Sequence, residues 1–199
     1  MITRRTILIA IGAGTLASFA SFAQQQGKVW RVGFLSQRHV DFVDADYYYG
    51  PFTQGLRELG YVEGKNLVIE WRSAEGKTER LLDLAADLVR LKVDVLATAG
   101  TPASQAAQKA TTTIPIVMIN LGDPVGTGLV KSLARPGGNG TAVSNITTDL
   151  GPKRLEMLRG MVPKLTHVAV LVNPVNAGNT LLLKNVQAAA QRVGVTIAC

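Results

Sequence analysis

At 199 residues, 47% hydrophobic and 18% charged, the chain has room for one full α/β domain and part of a second, and its composition excludes a disordered protein. The formal charge of +7 falls to +5 without Arg4 and Arg5, and the remaining basic residues are scattered without interleaved aromatics, which argues against a nucleic-acid surface. The lone cysteine, Cys199, excludes an internal disulfide and lacks partners for a metal or nucleophile role.

Residues 1–23 have signal-peptide anatomy: Arg4-Arg5, an apolar stretch from Ile7, and a small-x-small ending at Ser21-Phe22-Ala23. The stretch is shorter than the roughly 20 apolar residues of a membrane span, so cleavage after Ala23 and a periplasmic mature protein are expected. Thr3-Arg4-Arg5-Thr6-Ile7-Leu8 also fits a loose twin-arginine pattern, which leaves the export route open.

After a Gln-rich tail, Val29–Leu35 reads as the first strand. A long loop from Ser36 to Tyr49 follows, with His39, Asp41, Asp44, Asp46 and three tyrosines. Pro51 suits the first turn of a helix ending near Leu59, with Gly60 as its stop. Leu67–Arg72 is predicted as strand two. Thr78 is placed to cap a helix whose apolar stripe is Leu81, Leu84, Leu88 and Leu91.

Val93–Ala99 and Ile114–Ile119 are nearly continuous apolar runs, the pattern of parallel strands buried on both faces. Each ends in a turn that opens a helix: Gly100-Thr101-Pro102-Ala103-Ser104 and Gly122-Asp123-Pro124-Val125. In an open α/β sheet, ligands sit at the carboxyl ends of the strands, where helix N–H groups favour anions. The breaker Arg135–Gly140 precedes a short strand, Thr141–Ser144. Helix Lys153–Met161, strand His167–Val172, a turn at Asn173-Pro174, helix Thr180–Val193 and strand Val195–Ala198 complete the chain. This order predicts an α/β fold with one full parallel lobe over residues 24–145. Residues 146–199 read as the start of a second lobe, incomplete because two strands cannot bury both faces of a sheet.

Several motifs, in order and spacing, resemble the periplasmic substrate-binding proteins of ABC transporters, in the branch that includes tryptophan- and tyrosine-type binding proteins. They are Gly55-Leu56-Arg57-Glu58-Leu59-Gly60-Tyr61-Val62-Glu63-Gly64-Lys65-Asn66, Ala99-Gly100-Thr101-Pro102-Ala103, Gly122-Asp123-Pro124-Val125-Gly126-Thr127-Gly128 and Ser132-Leu133-Ala134-Arg135-Pro136-Gly137-Gly138-Asn139. The resemblance implies a type I periplasmic-binding fold of two Rossmann-like lobes, capture of a small solute, and delivery to a membrane permease. It also implies that family members run well past this length and that the second lobe here is truncated. Ligand contacts are expected at Ser36, Gln37, Gly100, Thr101, Pro102, Gly122 and Asp123, and from the second lobe at Thr147 and the Asn173 region. A ligand with a carboxylate, an amino acid above all, is the implied cargo.

Bland roles compete at several of these positions. Thr101 and Ser104 could cap their helix and leave N–H groups for a carboxylate, or cap it and nothing more. Asp123 either initiates a turn or pairs with a ligand ammonium, and Asn173 has the same ambiguity before Pro174. No P-loop, dinucleotide fingerprint or Gly-x-Ser-x-Gly elbow is present, and no acid pairs visibly with a base, so catalysis, cofactors and metals are not expected. A periplasmic ligand-sensor domain, and behind it an exported α/β enzyme, are the alternatives. The protein is expected to be a monomer.

Overall fold

The computed structural model describes residues 27–38, 45–145 and 147–199. Residues 1–23, expected to form a leader, lie outside them, as do His39, Asp41 and Asp44 and the side chains of Asp46, Tyr47 and Tyr48. The element order is β1 (Trp30–Ser36), α1 (Ala45–Glu58), β2 (Leu67–Ser73), a 3-10 turn (Thr78–Arg80), α2 (Leu81–Arg90), β3 (Val95–Ala99), α3 (Thr101–Ala110), β4 (Ile116–Leu121), β5 (Gly140–Ser144), α4 (Leu150–Met161), β6 (His167–Ala169), α5 (Ala177–Arg192) and β7 (Thr196–Ala198).

The first five strands form one parallel sheet in the order β2-β1-β3-β4-β5. Strand alternation sends successive residues to opposite faces. Leu35, Leu96, Ile116 and Met118 point to the side covered by α2 and α3, where they meet Leu81, Ala85, Leu88, Ala103 and Ala107. Phe34, Ile69 and Ala97 point to the other side, packed against Tyr49, Phe52 and Leu56 of α1. Aromatic rings fill that second layer: Phe34 lies edge-on to Tyr49 at 5.0 Å, and Tyr49 edge-on to Trp71 at 4.8 Å. Gly33 lets α2 come close, since a Cβ there would sit 3.0–3.2 Å from Leu96 and Leu88 methyls. The second sheet holds only β6 and β7, also parallel, with Leu155, Ala190 and Val195 as its core.

The expected strands and helices are present, with shifted ends. Helix α1 starts at Ala45, so Pro51 lies inside it rather than at its start, and the tyrosines belong to a helix instead of a loop. Inside α1, the Thr53 hydroxyl donates to the carbonyls of Tyr49 and Gly50 beside that proline. Thr78 does not cap α2: it begins a 3-10 turn, and its hydroxyl accepts from Gln37 Nε2 at 2.6 Å. Strand β6 ends at Ala169, three residues short of Val172, and α5 starts a turn before Thr180, at Ala177.

Candidate functional site

All five strands of the large sheet run parallel, so their carboxyl ends lie along one edge. A cavity of about 280 Å³ opens there, walled by that edge on one side and by α5 on the other. Ser36, Gln37, Gly100, Thr101, Pro102, Gly122 and Thr147, all read from the sequence, line it together. They come from the ends of β1, β3 and β4 and from the segment before α4.

Each has a local reason for its place. Ser36 ends β1 buried, its hydroxyl donating to the Arg38 carbonyl at 3.2 Å and accepting from the Arg38 N–H at 3.1 Å. Gln37 is anchored on Thr78 by its side chain. Gly100 takes a positive φ of 86°, a conformation that costs a glycine little, and so turns the chain from β3 directly into α3. Gly122 lies against Thr148 and Thr147, whose hydroxyls would be 2.6 and 3.2 Å from a Cβ at that position.

Helix α3 has no side-chain cap. Neither Thr101 nor Ser104 performs that role. Ser104 is buried, with its hydroxyl donating to the Gly100 carbonyl at 2.9 Å and 2.8 Å from Thr98 Oγ1, so it ties α3 to β3. The first-turn N–H groups of α3 are thus left without a side-chain partner at the cavity wall, where the helix dipole favours negative charge. Two hydroxyl-bearing residues, Thr101, 4% exposed, and Thr148, 2% exposed, line the same wall.

Asp123 and Asn173 stand apart from this cavity. The Asp123 carboxylate accepts from the N–H groups of Val125 (3.0 Å) and Gly126 (2.7 Å), so it closes its own turn. Asn173 likewise accepts from the Val175 N–H at 3.2 Å. The α5 contribution begins three residues later, at Asn176, which caps α5 through its side chain and lines the cavity with Gly178, Asn179 and Leu182.

Sequence reasoning missed Asn120, Asn145 and Thr148, which sit at the carboxyl ends of β4 and β5 and just beyond. Asn120 has a left-handed φ of 58°, where β4 and β5 slip register, and its Oδ1 accepts from Asn145 Nδ2 at 2.8 Å. Non-glycine residues held this way cluster at functional sites. The signal was available: a polar residue, Asn120, interrupts an apolar run immediately before the Gly122 turn. Among the described lining residues, Arg38 is the one charged side chain; amides and hydroxyls supply most of the other side-chain polar groups.

A parallel α/β sheet with a polar cavity at its carboxyl edge, faced from across by a second α/β unit, is the fold of the type I periplasmic binding proteins. Residues 40–199 match the family described as ABC transporter substrate binding protein, and the chain belongs to it. A tyrosine-binding protein of Clostridioides difficile (strain R20291) is 37% identical over 123 residues, 61% of this chain and 35% of that one. A conserved domain protein of Vibrio cholerae O1 biovar El Tor is 30% identical and superposes with a TM-score of 0.76, over 86% of this chain and 56% of that one. An ABC domain in complex with L-Trp from Streptococcus pneumoniae is 26% identical, with a TM-score of 0.73 over 85% and 56% of the two chains. The chain therefore spans about a third of the curated relative and about half of these solved structures.

Proposed function

We propose that this chain captures a free amino acid, aromatic in the first instance, by its carboxylate, and hands it to an ABC permease outside the cytoplasmic membrane. One observation carries the reading: a helix N-terminus without a side-chain cap and two hydroxyl-bearing residues, Thr101 and Thr148, face one cavity. The carboxylate accepts from the α3 N–H groups and the Thr101 hydroxyl, and amides such as Asn179 hold the ligand amino group. Tyr49, Pro102 and Leu182 supply apolar wall for a side chain. The tyrosine-binding relative and the L-Trp complex support the cargo class. In this reading residues 24–145 form one lobe and residues 146–199 belong to the other. Residues 1–23 are the export leader, the protein acts as a monomer in the periplasm, and no bond is made or broken.

Thermal unfolding with L-tryptophan, L-tyrosine, L-leucine and small carboxylates tests it. A ligand at a hundredfold excess over its Kd adds about 2.7 kcal/mol of stability. That raises Tm by about 5–10 °C for a chain of this size. Thr148→Val keeps the side-chain shape, removes the hydroxyl and cuts that rise. A folded sample whose Tm no member of the panel moves would overturn the reading.

A further inference from the structure

The two units touch beside the cavity where a glycine lacks a side chain. A Cβ on Gly178, in the first turn of α5, would lie 3.2 Å from Thr101 Oγ1 on α3. A Cβ on Gly126, in the turn after β4, would lie 2.6 Å from Leu181 Cδ2 on α5. Gly178 and Leu181 sit three residues apart, one helical turn, so α5 bears on the first unit through two adjacent points of one face. Thr101 and Gly178 both line the cavity.

We propose that Gly178 and Leu181 are positioning residues: Gly178 by lacking a side chain and Leu181 by its apolar contact set how near α5 comes to the sheet edge, and so the size and affinity of the cavity. This rests on the amino-acid-binding reading above only for the choice of probe. The argument is steric. The Gly178 φ is not in the left-handed region, so backbone conformation does not demand glycine there. The constraint is the approach of Thr101, which a Cβ there would push back by a few tenths of an ångström and a larger side chain by more. A side chain at Gly178 wedges α5 outward, and a ligand that must touch both units then binds a form that is seldom populated. If wedging reduces the closed fraction to a tenth, the apparent Kd rises roughly tenfold. Leu181 acts the other way: its truncation removes the apolar contact that favours approach.

The test uses the whole chain with Gly178→Ala, Gly178→Val and Leu181→Ala, each titrated calorimetrically with L-tryptophan and L-tyrosine and examined without ligand by small-angle X-ray scattering. The expected result is a graded loss, slight for Gly178→Ala and roughly tenfold or more for Gly178→Val. Leu181→Ala is expected to fall between them. The Tm without ligand stays at the wild-type value, and the radius of gyration of Gly178→Val rises. Wild-type affinity in Gly178→Val, or an unchanged radius of gyration, overturns the proposal. If neither amino acid binds the wild type, the amino-acid reading fails by itself, and scattering alone then decides whether Gly178 sets the approach.

Discussion

The two sheets of this chain are built by the same rule and reach different degrees of completion. Around the five-stranded sheet, Leu96 and Met118 are fully enclosed between β3, β4 and the α2–α3 layer, and Phe34 is enclosed on the other face. Around β6 and β7 the core is three residues, Leu155, Ala190 and Val195, while Met161 and Leu171 are 77% and 102% exposed. A parallel sheet needs cover on both faces. Two strands and two helices give the second unit one well-packed seam.

Core truncation would break this comparison most directly. Leu96→Ala is expected to cost about 2–5 kcal/mol in urea unfolding, because the surrounding layers cannot collapse onto the space left. Leu155→Ala is expected to cost less than about 2 kcal/mol, since its neighbours are open on one side and can relax. Equal losses would mean that the two units share one cooperative core. Amide hydrogen exchange sharpens the same contrast without mutation: β6 and β7 should exchange well before β1 and β3.

The smallest expected effect lies at the amino ends of the strands. Asp94 accepts from Lys28 Nζ at 2.6 Å and from the Arg31 N–H at 2.8 Å, and these bonds, with the two nearby positive charges, hold its carboxyl below the usual aspartate range. A carboxyl depressed in the folded state adds stability above its unfolded pKa of about 3.9, and the contribution fades as pH falls through the lower folded value. Asp94→Asn should therefore lower Tm slightly at pH 7 and leave it unchanged near pH 2. A difference that persisted at pH 2 would show that charge is not the cause.

Element type was legible because the apolar runs Val93–Ala99 and Ile114–Ile119 are short and end in Gly-containing turns, and they hold the observed strands Val95–Ala99 and Ile116–Leu121 but for the last two residues of the second. Ends were less legible. Pro51 argues locally for a helix start, yet packing of Tyr49 against Phe34 and Trp71 carries α1 a turn and a half further back. At the cavity, residues that follow strand ends directly were readable from their turn chemistry, as Gly100, Thr101 and Gly122 show. Asn120 showed only as a polar break in its apolar run, and Asn145 and Thr148 left no local sign, because the slip between β4 and β5 beside them is a tertiary event. Asp123 shows the converse ambiguity. Its residue type fits a ligand ammonium as well as a turn, and only its geometry shows that its own N–H neighbours engage it.

The strap formed by Lys28, Trp30 and Asp94 has a practical consequence. Lys28 Nζ sits 3.7 Å over the Trp30 ring and reaches Asp94, fastening the chain at the amino end of β1. The cavity begins at Ser36, at the other end of a strand about 20 Å long. Anything joined upstream of Lys28, whether a purification tag, a fluorophore or a sensor-chip linker, leaves from the pole opposite the mouth. A surface carrying the protein by that end would present every mouth to the solution.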